Sequence, residues 1–462
     1  MNDVYALIRC NGFVLTNKDI DLELCRRIIG NRYRSSREFV FKEDGFTALC
    51  YCKHPTPEEY GRVILLNGDI YGSNSADSVC SSHNLHDTLA LSDGNYALVC
   101  IDMNDDDNDG GVIAFARDPL GSKPFYYEHN GSSVTVASDR RVLNTYLEVE
   151  PGALYVFRPG RRGMERIRFS PIEYKPYVAD VVSMDDAIKH VRNILSTSLK
   201  RRLSGRAGVV VGVSGIDSII LAILSEQILD DVIPVTVCTK GSYDEMNARY
   251  IQEITGLSIH TLMLDEQDIL NIIDDISTLG IDLDFANAMD VSISCIIYAL
   301  ARFARDNGVD ALMLGQLADE LFGGYARYLR YASSNSDNNN NSSSSSIHGL
   351  DGLNMMLFND VKRASHDLCR DESIASSMLI DLILPYASAE LAAYVVNLPA
   401  IFKVDVVKGV RKLLLRKVAE SIGVAHEVAY REKKAMQFST GIFKIVKRII
   451  KTYVQGGEKV EN

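Results

Sequence analysis

The sequence has no apolar run of about 18 residues, the length a membrane-spanning helix needs. Its opening, MNDVYALIRC, has neither the basic region nor the long apolar stretch of a secretory signal. These two absences predict a cytoplasmic protein with no membrane partner. Positive charge is scarce: 49 Lys and Arg stand against 61 Asp and Glu, a formal charge of -12. A field of that sign repels a phosphate backbone, so nucleic acid is not an expected partner. No C-x-x-C pair occurs among the nine cysteines, which run from Cys10 to Cys369 with only Cys50 and Cys52 close together. Buried thiols are expected rather than a zinc or disulfide framework. The nine histidines are equally scattered, and His83 and His86 lie in a Ser/Asn-rich stretch that reads as a surface loop rather than a metal site.

The 462 residues, 46% hydrophobic and 24% charged, are enough for two or three domains with full cores. Over the first 160 or so residues, short β-rich runs (VYALIRC, FTALCYC, RVILLN, NYALVCID, GVIAFARD, SVTVAS, ALYVFRPG) alternate with turn clusters such as NDDDNDGG. That pattern predicts antiparallel sheet with few helices. From Met184 strands and helices take turns: VVVGV (209–213), a helix through IILAILSEQIL, IPVTVCT (233–239), a helix from Asp244 to about Thr255, IHTLMLD, helices over 267–278 and up to Asn307, then ALMLG (311–315). Such alternation predicts a mostly parallel sheet covered on both faces, with the domain boundary between about 165 and 183. The segment 333–346, SSNSDNNNNSSSSS, has no apolar residue and is expected to be a mobile surface insertion. Residues 350–462 read as a helical cluster that includes Arg431, Lys433 and Lys434.

Three pieces of the second half would then meet at the carboxyl ends of strands, where open α/β sheets bind ligands. They are Val213 to Ser218, the turn from Thr239 to Asp244 after the strand that carries Val237, and Gly315 to Glu320. A turn with Ser214 and Gly215 would point backbone N–H groups at an anion, with the Ser218 hydroxyl as a further donor. Asp217 would repel a phosphate unless Mg²⁺ lay between them, and Asp319 is the candidate ligand from the other side. Taken singly, Ser214, Asp217 and Asp319 could each do no more than cap a helix. Two such turns after two parallel strands point to a nucleotide site.

The second half resembles the synthetase domain of glutamine-dependent asparagine synthetases, members of the ATP pyrophosphatases whose phosphate loop reads S-G-G-x-D-S. The likeness runs from about 200 to 445 through GVSGIDS, SYDEMNARYIQEITGL, Asp290 and Ser292. It continues through LGQLADELFGGYARY, Arg370-Asp371, Asp381 with Pro385, Lys412 to Arg416 and REKKAMQF. The first half resembles the matching glutaminase domain through LNGDIYG, Asp93-Gly94, ARDPLGSKPFYY, ASDRR and Pro151-Gly152. The resemblance implies an α/β protein in which a doubly wound parallel sheet, adenine nucleotide α-hydrolase-like (184–462), follows an αββα N-terminal-nucleophile-type sandwich (1–170). It also implies ATP and Mg²⁺ as cofactors, with aspartate and ammonia or glutamine as substrates and a homodimer left open. The aspartate carboxylate would attack the α-phosphorus of ATP, pyrophosphate would leave, and ammonia would displace AMP. In that chemistry Lys434 and Lys433 would reach the phosphates, and Asp381 would hold Lys434 or receive an ammonia proton. Val213, Ser214, Gly215, Ser218, Val237 and Gly315 would line the nucleotide, and Asp217 and Asp319 would bind the metal.

Several residues depart from the family pattern. The family nucleophile is a cysteine at position 2, whose free amine is the base. Asn2 stands there in this chain. Asn67 and Gly68 match the oxyanion-stabilising pair and Asp93 is retained, so the first half is expected to be an inactive glutaminase remnant unless Cys10 becomes N-terminal. Val213 and Ser214 fall on the first Ser and first Gly of the phosphate loop, which predicts the loss of one charge-assisted hydrogen bond, about 1.5–3 kcal/mol, and of some freedom at positive φ. Gln316, Leu317 and Ile383 replace an acidic residue, a small residue and an arginine. Two alternatives follow: adenylation of another carboxylate, as in β-lactam synthetases, or a non-catalytic nucleotide- or partner-binding homologue.

Overall fold

The computed structural model describes residues 5–18, 21–30, 36–43, 46–52, 62–71, 84–102, 111–159, 161, 163–175, 182–281, 283–337, 345–431 and 436–457. The chain forms two compact units. One comprises Met1–Glu173 with Ala364–Leu379 and Ala387–Glu390, and the other Tyr174–Arg363, Ile380–Tyr386 and Leu391–Asn462.

Among the described residues the first unit has eleven strands. They are β1 (Tyr5–Thr16), β2 (Arg37–Glu43), β3 (Phe46–Cys52), β4 (Arg62–Tyr71), β5 (Asp93–Asp102), β6 (Val112–Arg117), β7 (Tyr126–His129), β8 (Val134–Ala137), β9 (Leu147–Glu148), β10 (Ala153–Phe157) and β11 (Met164–Arg168). The path runs β11-β10-β6-β5-β4-β1-β8-β7-β9, with β3 beside β1 and β2 beside β3. β1 serves two layers. Its residues Tyr5–Arg9 run parallel to β4, whereas Cys10–Thr16 pair with β3 and β8 beyond an irregularity at Cys10/Gly12. The two-residue period of a strand then sorts the side chains. Val63 and Leu65 of β4 join Phe13, Phe115, Phe125 and Tyr155 in the core between the layers. Ile64 and Leu66 face the other way, toward Leu89 of α2 (Leu85–Ala90). On the far layer Val14, Leu49 and Tyr51 pack against Cys25 of α1 (Leu22–Cys25) and Ile29 of the π-helical turn Arg26–Gly30. The order helix, sheet, sheet, helix is the αββα sandwich expected. β2, β7, β9 and β11 were not legible as strands.

The second unit holds a five-stranded parallel sheet of β12 (Gly208–Gly212), β13 (Asp231–Cys238), β14 (His260–Met263), β15 (Ala311–Met313) and β16 (Asp381–Ile383), in the order β14-β13-β12-β15-β16. Its helices include α3 (Met184–Leu203), α4 (Ile216–Ser225), α5 (Tyr243–Thr255), α6 (Glu266–Thr278), α7 (Ala288–Asp306) and α8 (Ala318–Phe322). Their boundaries follow local chemistry. The Ser242 side chain accepts from the Glu245 N–H to start α5, and Gly256 ends it at φ 76°. Val209, Val210 and Val211 of β12 are fully buried, as a central strand covered on both faces requires.

Two expectations are corrected. Of the expected mobile insertion 333–346, 333–337 end the helix Ala326–Asp337 and another helix starts at Ser345, with 338–344 outside the described residues. A nucleated helix extends at little cost per residue even through polar sequence. The helical cluster after 350 is interrupted by β16 and by the hairpin of Val404–Asp405 with Val410–Arg411, pairings of two or three residues too short to leave a period.

Candidate functional site

β12 is first in chain order but third in the sheet; the chain passes to β13 and β14 on one side, then to β15 and β16 on the other. The switch point therefore lies between β12 and β15. The turns leaving these two strands carry Asp217 and Asp319, about a hundred residues apart in sequence. They approach closely: a Cβ added to Gly315 would stand 3.3 Å from Asp217 Cβ and 3.6 Å from the Ser218 nitrogen.

The first turn is held by its own polar groups. The Ser218 hydroxyl accepts from the Ser214 N–H (3.0 Å) and the Gly215 N–H (3.3 Å) and donates to the Gly215 carbonyl (2.9 Å). Asn247 donates to the Ser214 carbonyl at 3.2 Å, and the Tyr386 hydroxyl donates to the Asp217 carbonyl at 3.0 Å. Val213 continues the strand, its N–H on the Val235 carbonyl (2.8 Å), its carbonyl accepting from Thr236 (2.7 Å) and its side chain buried. The expected loss of freedom at positive φ does not arise: Ser214 is not among the described residues with positive φ, and Gly215 is extended at φ −153°. Val237 is buried in β13.

The second turn is strained where the first is not. Leu317 caps α8 at φ 74°, a left-handed conformation that costs a non-glycine residue about 1–2 kcal/mol. Lys412, which caps the helix Leu413–Ser421, has φ 57°. Strain of this kind gathers at functional sites. Lys412 is buried, and its ammonium Nζ lies 2.8 Å from Asp217 Oδ2 and 2.8 Å from Asp319 Oδ1. Its stem crosses Gly324, where a Cβ would stand 2.4 Å from Lys412 Cε and 1.6 Å from Asp319 Oδ1, so only glycine fits. Beside Asp319, burial and the neighbouring carboxylate raise the pKa of Glu320, which accepts from the Tyr325 hydroxyl at 2.5 Å. Burial lowers the pKa of Arg416, although Asp217 pulls it the other way.

Sequence reading assigned Lys412 no role; one lysine among 49 basic residues carries no local signal of position. The two carboxylates meet on one ammonium, and carboxylate oxygens are donors of the hard kind that Mg²⁺ takes.

A third segment borders the sheet end. Thr239 donates through its N–H (2.9 Å) and its hydroxyl (3.0 Å) to the Thr440 carbonyl, and Ser439 donates to Asp244 at 2.8 Å. Arg431 lies over the Tyr250 ring at 3.9 Å. Lys433 and Lys434 fall outside the described residues, between these two anchors.

Asp381 is a correction. It opens β16 in register with Ala311, the first residue of β15, and so lies at the amino end of the sheet. Its carboxylate accepts from Arg206 at 3.1 Å. A group at that end cannot serve chemistry at the carboxyl ends, so its role is structural. Ile383 is at the carboxyl end of β16 and buried.

In the first unit, Asn67 donates to the Asn11 carbonyl at 3.1 Å. Gly68 has φ 98°, with room for a Cβ denied by the Asn95 carbonyl at 2.0 Å. Asp93, at the far end of β5, accepts from the Ala389 N–H at 3.3 Å. Cys10 is buried and follows Arg9, which pairs with Leu66 in register and whose guanidinium bonds to Asp69. His86 bonds to Asp87 and the Arg168 carbonyl. No cluster of three or more metal-binding side chains occurs among the described residues.

Two carboxylates thus converge at the switch point of an open parallel α/β sheet, where such sheets bind ligands. Comparison with known proteins adds the lineage: the asparagine synthase family model matches residues 190–456 and a glutamine amidotransferase domain model matches 73–145. The first match covers more than half of the chain, which belongs to the asparagine synthase family. A candidate asparagine synthetase (glutamine-hydrolyzing) 1 of Methanocaldococcus jannaschii is 23% identical over 87% of this chain and 82% of its own length. Asparagine synthetase (glutamine-hydrolyzing) 1 of Saccharomyces cerevisiae is 22% identical over 64% of this chain and 60% of its own. Amidase chry2 of Gibberella zeae is 25% identical over 48% of this chain and 39% of its own. No described helix is long and apolar enough to cross a membrane.

Proposed function

We propose that the protein is an ATP-dependent amide-forming ligase that activates the side-chain carboxylate of aspartate and transfers ammonia to it, giving asparagine, AMP and pyrophosphate. One observation carries this reading. Asp217 and Asp319, from the turns after two neighbouring parallel strands, each lie 2.8 Å from one buried cation at the switch point. A carboxylate oxygen of the substrate attacks the α-phosphorus as the bond to pyrophosphate breaks; the nitrogen lone pair of ammonia then attacks the acyl carbon, AMP leaves, and a proton is lost from nitrogen. Mg²⁺ held by Asp217 and Asp319 would supply charge neutralisation on the phosphates, the main demand of phosphoryl chemistry. The backbone N–H groups of Ser214 and Gly215 donate to the Ser218 hydroxyl; in this reading phosphate oxygens would take its place as their acceptor. Lys433 and Lys434, outside the described residues, are assigned to the phosphates by the family resemblance alone.

Ammonia is the nitrogen donor in this reading. The Cys10 nitrogen is peptide-bonded within a continuous strand, which leaves that thiol without the free amine a glutaminase nucleophile uses. ATP–pyrophosphate exchange with Mg²⁺, tested with each amino acid in turn and followed by product analysis with ammonium, decides the matter. Exchange stimulated by aspartate supports the proposal; no exchange with any carboxylate removes it.

A further inference from the structure

The ammonium of Lys412 occupies the point at which the two carboxylates converge, 2.8 Å from each. Glu320 stands beside Asp319, and Arg416 acts on Asp217 from further off. A divalent ion bridging the same two oxygens and the ammonium cannot share one position: separations of a few ångströms between like charges out of water are strongly repulsive. The backbone on either side is fixed. The Arg416 N–H donates to the Lys412 carbonyl at 2.9 Å, Arg411 donates to the Gly324 carbonyl at 2.8 Å, and the Gly324 N–H donates to the Asp319 carbonyl at 2.8 Å. The lysine stem, with its rotatable bonds, is the part that can yield.

We infer that Lys412 is an exchangeable counter-cation, which neutralises Asp217 and Asp319 in the nucleotide-free protein and leaves them for the phosphates when a divalent cation enters. Entry of the metal is thereby coupled to the swing of one side chain, and binding of metal without nucleotide is weakened because an ammonium must first be displaced. The left-handed backbone at Lys412 and the glycine beneath its stem are what place an ammonium at that point. This inference rests on the proposed metal site but not on the identity of the acyl substrate.

The test is Mn²⁺ binding to the full-length, nucleotide-free protein, followed by electron paramagnetic resonance. Replacing one charge-assisted interaction corresponds to at least about tenfold in affinity. Lys412→Met is expected to bind Mn²⁺ about tenfold more tightly than the parent, and Asp217→Asn to abolish that gain. Equal or weaker binding in folded Lys412→Met overturns the inference. A measurement on the unmodified protein covers the case in which that variant does not fold. Acetylation of Lys412, read by mass spectrometry, is expected to accelerate on saturation with Mn²⁺ alone, and an unchanged rate overturns the inference. ATP–pyrophosphate exchange, run in parallel, separates the two ideas: tighter Mn²⁺ binding without any exchange sinks the ligase and leaves the cation swap standing.

Discussion

The turn at Asp217 and the middle of β4 at Asn67 both fall on family motifs, but their polar groups are surrounded differently. Around Asp217, charges of both signs are buried together and stay organised about a point that a ligand cation could take: Asp319, Lys412 and, more distantly, Arg416. Around Asn67 the amide is turned onto the Asn11 carbonyl, and the neighbouring strand runs on through Cys10 and Arg9 to Tyr5. One locus holds electrostatic work in reserve and the other has settled it into packing.

The largest expected effect falls on the charged locus. Asp319→Asn leaves the Lys412 ammonium short of one buried partner, a change worth about 3–5 kcal/mol, and should lower aspartate-stimulated pyrophosphate exchange about a hundred- to a thousandfold. Exchange within tenfold of the parent would erase the contrast between the two loci.

Paired glycine substitutions sharpen it. Gly68→Ala and Gly324→Ala each place a methyl within 2.0 Å of an oxygen, and each should cost about 2–4 kcal/mol in urea unfolding. Only Gly324→Ala should lose exchange beyond what its instability explains.

A third test uses Lys403, fully buried, with its Nζ on Asn354 Oδ1 at 3.0 Å and the Val396 carbonyl at 3.3 Å. Burial pushes this lysine from 10.5 down to about 7. Between those two pH values the unfolded chain binds a proton that the folded chain does not, so stability from this group rises with pH across the window and is least below pH 7. Lys403→Met should raise Tm at pH 6, and its advantage should shrink toward pH 10, with a slope of at most about 1.4 kcal/mol per pH unit.

The smallest effect belongs to the packed locus. Cys10→Ala should cost about 1 kcal/mol in stability and leave ammonia-dependent turnover within twofold. Loss of glutamine-dependent turnover in that variant would show that the thiol still acts.

Much of the architecture was legible because its causes are local. The apolar run Val63-Ile64-Leu65-Leu66 reads as a strand, though which core each side chain enters does not show in it, and the all-valine run 209–211 marks another strand. β16 was not legible, since three residues carry no period and only the edge of β15 makes them a strand. Asp381 was misplaced for the same reason, because without β16 its position at the amino end of a strand was invisible.

The residues themselves determined two alternating patterns, the change of period near Met184 and the acidic turns after two apolar strands, since each depends on neighbours a few positions apart. The folded chain alone decided that Asp217 and Asp319 meet on Lys412, that Gly324 must lack a side chain there, and that Cys10 is sealed into a strand. Those facts depend on distances between segments remote in sequence, and such distances are set by how sheets and turns pack rather than by any residue's own preference.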